Sequence, residues 1–515
     1  MCGHLVGAVP PGWLDGHALG QCTVCSRVLS RRYGNTCPRC RPALARPAVP
    51  VQGRPLPDGC PTLDEVCAAP IGVRRHVPKG AQNLWAQCLL TAAAGVVEFN
   101  DTRAWTEFMA LPKMVLVAGN RGGKDHCRRA DNDTKRRCRD WLEGQRELLW
   151  RAPDRGGRAH RQASDEAVEA ERHRRATELL REGLLQQASA TLVQAPPVRV
   201  TDAIEQEMRL KHPAARHQEA ERLAGLRAVA AAAAIHIDED ALEKALHGFS
   251  PASAGGPSGL RPQHIKEAMA PGLRDEVRRH LAAIANRMAR GEVPSEVRAW
   301  LCGASLTAVP KPSGGHRPIA VGEAMRRLTA KALASTVAPA MRELFEPVQL
   351  GVGTPGGAEA SVHVARQWMS RNAGDKDKVL VTIDVENAFN MIDRSAFLSE
   401  VRRTQPGFAP WVDFCYADAS HLLLDGRALA SERGIQQGDP LGPALFALAV
   451  HTAIREARDA AQAEHPGGLD FCLFYLDDGT IAGSAAAVQS FMRHFELKAR
   501  DRGLTFNTGK CEVIP

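Results

Sequence analysis

The period of the apolar positions changes along the chain. Between about residues 81 and 250 apolar residues recur at helical spacing. Asn83 to Val97 is one such segment, and Thr102 to Met109 another, ending before Leu111-Pro112-Lys113. Residues 221–248 predict an alanine-rich helix closed by Gly248. A small-residue loop then runs from Ser250 to Leu260, with a helix start at Pro262. Residues 306–321 predict a hairpin, two apolar strands around a glycine turn with Lys311 and Arg317 near its tip. From 378 onward strands and helices alternate. A strand begins at Lys378 and ends on Asp384, and Glu386 to Asn390 turn into a short helix. Helices follow near 394–403 and 410–419. His421 to Leu424 and Arg427 to Ala430 flank Asp425-Gly426 as a hairpin. A glycine- and proline-rich loop, Gly434 to Pro443, opens a long helix over about 441–463, and another helix lies near 485–501. A strand pair through Lys510 closes the order. Mixed strands and helices with paired hairpins predict an α+β fold with an antiparallel sheet and helices on one face.

The stretch Phe471-Cys472-Leu473-Phe474-Tyr475-Leu476-Asp477-Asp478-Gly479-Thr480-Ile481-Ala482 puts two carboxylates between two apolar runs. Asp-Gly is by itself an ordinary hairpin turn. A doubled carboxylate at an apolar tip is different, because like charges repel unless a cation lies between them. With Asp384 at the end of a neighbouring strand, three carboxylates form a candidate site for oxygen-loving divalent cations.

Composition adds less. The 515 residues suffice for two to four domains, with 44% hydrophobic and 24% charged residues. A net charge of +8 suits a polyanion partner without requiring one. No apolar run reaches transmembrane length and the N-terminus lacks the pattern of a signal peptide, so an intracellular protein, nuclear or cytoplasmic, with no membrane partner is expected. Fourteen cysteines then speak for thiols and metal rather than disulfides. Cys22-x-x-Cys25 and Cys37-x-x-Cys40 have the spacing of a tetrahedral Zn²⁺ site, closed by a short hairpin between the pairs. Chance clustering in a poorly ordered tail is the alternative. A proline-rich stretch reads as an extended linker. Between 121 and 182 acids and bases crowd together, and a solvated, ion-paired helix face explains them better than a phosphate-tracking surface.

The ordered motifs over roughly 245–515 resemble the fingers and palm of reverse transcriptases, especially those of non-LTR retrotransposons and group II intron relatives. Asp384-Val385-Glu386-Asn387-Ala388-Phe389-Asn390 looks like the first palm motif. Gln437-Gly438-Asp439-Pro440-Leu441-Gly442-Pro443 is similar to the family's glutamine-glycine motif. Tyr475-Leu476-Asp477-Asp478 resembles the catalytic box, and Gly503 to Lys510 the lysine motif that follows. Lys311 with Arg317-Pro318-Ile319 resembles the fingers hairpin, and Ala254 to Leu260 the motif before it. Six motifs in order are far more specific than any one.

The resemblance implies a right-hand polymerase and five segments. These are a four-cysteine zinc module (1–45), a Pro-rich linker (46–80), a charged helical extension (81–245), fingers (246–375) and palm (376–515), with the thumb absent. It implies nucleotidyl transfer from a dNTP to a primer 3′-hydroxyl with two Mg²⁺ (or Mn²⁺) ions, an RNA template, and a DNA primer or nicked DNA target. By the same resemblance Asp384, Asp477 and Asp478 hold the metals, helped by the Val385 carbonyl. Lys311 and Arg317 contact the triphosphate, Lys510 donates a proton to pyrophosphate, and Gln437, with Gly438, positions the nucleotide. Phe389 lies where the family places an aromatic under the sugar, which would exclude a 2′-hydroxyl and disfavour a templated RNA polymerase. The competing reading is a truncated, inactive remnant that keeps the palm as a zinc-bearing nucleic-acid-binding scaffold.

Overall fold

The computed structural model describes residues 19–21, 28–30, 60–118, 126–150, 165–193, 198, 200–227, 234–311 and 314–515. Cys22, Cys25, Cys37 and Cys40, the expected zinc ligands, lie outside these residues. Strands β1 (Leu19–Gln21) and β2 (Val28–Ser30) pair antiparallel, Leu19 opposite Ser30. This ladder flanks the first cysteine pair, whereas the hairpin was expected between the pairs.

Residues after 60 do not behave as a linker. Helix Leu63–Ala68 starts on a capping box, with the Thr62 hydroxyl accepting from Glu65 N at 3.3 Å and Thr62 N donating to the Glu65 carboxylate at 2.9 Å. Its Val66 and Cys67 are fully buried. The Lys113 ammonium donates to the carbonyls of Val66 (2.6 Å), Ala69 (2.8 Å) and Cys67 (3.2 Å), satisfying the open end of that helix. Burial pulls its pKa down to about 8.

Helix Thr102–Val115 continues through Pro112, past the expected stop. The proline forfeits one backbone hydrogen bond, but Leu111, Met114 and Val115 bury in the core and outweigh it. The expected single helix over 221–248 is interrupted: His217–Arg227 and Glu239–His247 are separate, and residues 234–238 are not helical. Asn286 holds that break by bonding both the N–H (2.8 Å) and the carbonyl (2.7 Å) of Ile237, and Asp238 then caps the second helix at 2.6 Å.

The remaining strands are β3 (Ala304–Pro310), β4 (His316–Gly322), β5 (Lys378–Ile383), β6 (Ser420–Leu424), β7 (Arg427–Ser431), β8 (Leu469–Tyr475), β9 (Asp478–Ser484) and β10 (Glu512–Ile514). One sheet has the order β10-β5-β9-β8 and is antiparallel throughout, as expected. The other, β4-β3-β6-β7, contains a parallel pairing of β3 with β6. The expected closing strand pair is reduced to β10 and a single bridge between Val385 and Phe506. Helices Gly442–Glu464 and Ala485–Asp501 pack on each other and on the antiparallel sheet. One continuous core runs from Leu63 to Leu504, so the helices of 60–149 share their interior with β5, β8 and β9, whereas the β4-β3-β6-β7 sheet packs around a second cluster with Met208, and helix Gln82–Phe99 packs on Arg274–Ala289. No helix among the described residues is long and apolar enough to cross a membrane.

Candidate active site

Antiparallel register brings the three aspartates together. Ile383 on β5 faces Gly479 on β9, which carries Asp384, the next residue, to the level of Asp478. Asp477 occupies the β8–β9 turn, where Leu476 is left-handed (φ +60°), a costly conformation for a side chain with Cβ. Gln349, fully buried, holds it there. Its amide oxygen accepts from Leu476 N (2.8 Å) and from Gly351 N (3.1 Å), and its amide nitrogen donates to the Leu476 carbonyl (3.0 Å). Neighbouring backbone extends this grip, with Phe474 N donating to Val348 O (2.7 Å) and Leu350 N to Phe474 O (2.8 Å). A side chain at Gly351 would meet Leu476 N at 2.7 Å, so only glycine allows the approach.

Burial raises the pKa of Asp477, and repulsion from Asp478 and Asp384 raises it further, while Lys510 opposes. Asp478 is raised by burial and then by Asp384, again against Lys510. The Lys510 ammonium stands 3.4 Å from the Asp384 carboxylate and is two-thirds exposed (67%). Its segment is fixed by backbone: Asn507 N donates to Asp384 O (2.9 Å) and Glu386 N to Thr505 O (2.9 Å). Among the described residues no three His, Cys, Asp or Glu side chains are gathered tightly enough to hold a metal as they stand. The donor chemistry nonetheless fits one: three electrostatically coupled carboxylates, two of them holding protons more tightly than usual, suit a hard divalent cation.

The other expected residues line the approaches. Half-buried Phe389 stacks on Phe446 with centroids 4.9 Å apart. Val385 is buried and bridges Phe506. Gln437 accepts from Ala320 N through its carbonyl (3.1 Å), joining its loop to β4. Gly438 has φ +125°, and a Cβ there would run into the Ala320 carbonyl. Lys311 and Arg317 are exposed at the ends of β3 and β4. Burial lowers the Lys311 pKa, and the cations of Lys211, Arg317 and Lys510 lower it further, so the hairpin and Lys510 face a common space. The 254–260 loop is not a phosphate cradle: Ser258 spends its N–H and hydroxyl on buried Glu323, both at 2.6 Å.

Sequence reasoning missed Gln349, Asn387, Glu207 and Lys211. Gln349 could have been suspected from Gly351, Gly353, Gly356 and Gly357 just behind it, which mark close backbone approach. Asn387, left-handed at φ +45°, is the residue type that tolerates such a turn. The Glu207/Lys211 spacing is common on any helix and signals nothing special.

An aspartate doublet on a tight β-turn, a third aspartate on the adjoining strand and a cation-tipped hairpin facing them are the layout of a templated polymerase's palm and fingers. Residues 309–515 match the family "Reverse transcriptase (RNA-dependent DNA polymerase)". The chain is 26% identical over 242 residues to the retrotransposable element SLACS 132 kDa protein of Trypanosoma brucei gambiense, covering 45% of this chain and 19% of that protein. It is 27% identical over 223 residues to the Pol polyprotein of the type-1 retrotransposable element R2 from Popillia japonica, covering 41% and 29%. Against the R2 polyprotein of Nasonia vitripennis the identity is 25%, covering 27% and 14%. Residues 309–515 therefore match a reverse transcriptase domain, and the relatives that share it are proteins of retrotransposable elements. The chain spans less than a third of the length of these relatives. A solved structure of apo telomerase from Candida Tropicalis, truncated from its C-terminal domain, aligns over 42% of this chain and 50% of its own, with 11% identity and a TM-score of 0.32, too slight a likeness to carry an argument.

Proposed function

We propose that the chain is an RNA-directed DNA polymerase of a retroelement, extending a primer 3′-hydroxyl with dNTPs on an RNA template. The observation that carries this reading is the meeting of Asp384, Asp477, Asp478 and Lys510 across β5, β9 and the 505–511 segment within a reverse transcriptase domain.

In this reading Asp384 and Asp477 hold the divalent cations, with Asp478 and the Val385 carbonyl in support. Bound Mg²⁺ would supply a lowered pKa at the primer hydroxyl and charge neutralisation on the phosphates. Lys311 and Arg317 bind the triphosphate from the fingers side. Lys510, which lies beside Asp384, would give a proton to the departing pyrophosphate. The Phe389 ring, backed by Phe446, would lie under the sugar and exclude a ribose 2′-hydroxyl, which would favour DNA synthesis over RNA synthesis. Gln437 orients the nucleotide from a loop tied to β4.

The test is extension of a primed RNA template with dNTPs and Mg²⁺ or Mn²⁺, beside the double variant Asp477→Ala/Asp478→Ala. Extension that disappears in the double variant is expected. No extension from a folded chain that still binds primer–template would sink the proposal and leave a non-catalytic scaffold, and extension surviving in the double variant would overturn the assignment of these aspartates as its site.

A further inference from the structure

We infer that Glu207 and Lys211, on a helix ahead of the polymerase motifs, are positioning residues for the incoming nucleotide, locking the Lys311/Arg317 hairpin to the Asp384–Phe389 segment. The inference rests on the polymerase reading above.

Helix Asp202–Lys211 lies along the fingers sheet, with Met208 fully buried among Leu306, Ala320, Leu422 and Leu429. One turn of it faces the tip of the β3–β4 hairpin. Glu207 accepts from His316 N (2.8 Å), and its other oxygen lies 2.6 Å from His316 Nδ1. The Lys211 ammonium donates to Glu207 (2.5 Å) and to the His316 carbonyl. Gly315 is left-handed (φ +70°), and a Cβ on it would point at the Glu207 carboxylate 3.1 Å away. Among the described residues, the hydrogen bonds reaching 314–317 from outside the hairpin all come from Glu207 and Lys211.

The opposite end of Lys211 touches the palm. Its carbonyl accepts from Asn387 Nδ2 at 2.9 Å. Asn387 stands between Asp384 and Phe389 and makes the left-handed turn that separates them. A single residue therefore bonds both walls of the space a nucleotide would occupy.

Charge explains why a lock is needed. Lys311, Arg317, Lys510 and Lys211 repel one another around that space, and Glu207 is the carboxylate offsetting them at Lys311. Burial pushes the Glu207 carboxyl up, but hydrogen bonds from Lys211 and His316 hold it at about 2, so it stays ionised at working pH. Without it the hairpin tip loses its tether and its cations spread.

The measurement is steady-state extension of a primed RNA template with dNTP varied, for the unaltered chain, Glu207→Gln, Lys211→Met and Glu205→Gln. Glu205 anchors the same helix to the same sheet through Arg427 but touches neither the hairpin tip nor Asn387. Glu207→Gln is expected to raise KM for dNTP on the order of tenfold, with kcat and primer–template Kd changing by less than about twofold. Lys211→Met should do the same and serves if Glu207→Gln melts early. Glu205→Gln should leave KM unaltered. Equal effects at 205 and 207 would mean helix anchoring only and would overturn the inference, as would an unchanged KM in both lock variants. No extension from the unaltered chain would instead overturn the polymerase reading, and this inference with it.

Discussion

Asp477 is held where its charge is unwelcome. Both it and Asp478 bind their protons more tightly than a free carboxylate, through burial first and then repulsion, from Asp478 and Asp384 at Asp477 and from Asp384 at Asp478. For a carboxyl whose folded pKa is raised, folding is most favourable at low pH, where the group is protonated. That advantage is lost as pH rises through the folded pKa. Above that pKa the repulsion acts. Asp477→Asn is therefore expected to stabilise the metal-free chain by about 0.5–1 kcal/mol at pH 7.5, with the gain shrinking towards pH 4, while extension falls by at least ~10³-fold. Melting curves at the two pH values check the first part, and Mg²⁺ should raise the midpoint of the unaltered chain more than that of the variant. Phe389 carries a separate prediction. Phe389→Val should lower discrimination against ribonucleotides about tenfold or more, read as the ratio of kcat/KM for dNTP and rNTP.

At the scale of elements, the β8–β9 hairpin cannot keep its shape alone. Its left-handed Leu476 depends on a glutamine more than a hundred residues earlier (Gln349). Gln349→Ala leaves the Leu476 amide and carbonyl unpaired, at roughly 1–3 kcal/mol. The expected result is a fall in kcat of about tenfold, with little change in KM for dNTP, in the same extension assay. This dependence also shows what the sequence could disclose. Elements whose signal is local were legible: the hairpin at 306–321, the strand from Lys378, the helix opening after Pro440, the Asp-Asp turn. Elements decided by distant partners were not. Nothing near Pro112 says that burial will carry its helix onward, and nothing near Ile237 says that Asn286 will interrupt one. The aspartates could be singled out because repeated charge in an apolar hairpin is conspicuous. Gln349, Asn387 and Lys211 are ordinary residues made important by where the fold puts them.

At the scale of the molecule, the matched domain shares its core with residues that precede it. β3 begins at Ala304, before the match starts at 309, and packs with Met208 of helix Asp202–Lys211, while β5, β8 and β9 share a core with Trp85, Trp105, Leu260 and Trp300. A chain beginning at residue 309 is expected to lack a cooperative thermal transition, whereas one beginning at 60 should melt within a few degrees of the whole, as circular dichroism would show.

The segment from 201 to 227 joins partners that lie far along the chain. Arg216 and Arg222 bond the carbonyls of Arg500 and Asp501 across some 280 positions, and Glu219, fully enclosed, waits for Ser395. During synthesis this segment leaves the ribosome long before any of those partners exists. It has to stay undocked while nearly three hundred further residues emerge, and closing so long a loop is slow. Lys211 waits only for His316 and Asn387, whereas Arg216 and Arg222 wait for the far end of the chain. A nascent chain would complete these contacts only after the segment near 500 has been made, so a half-finished product holds the 201–227 segment without its far partners.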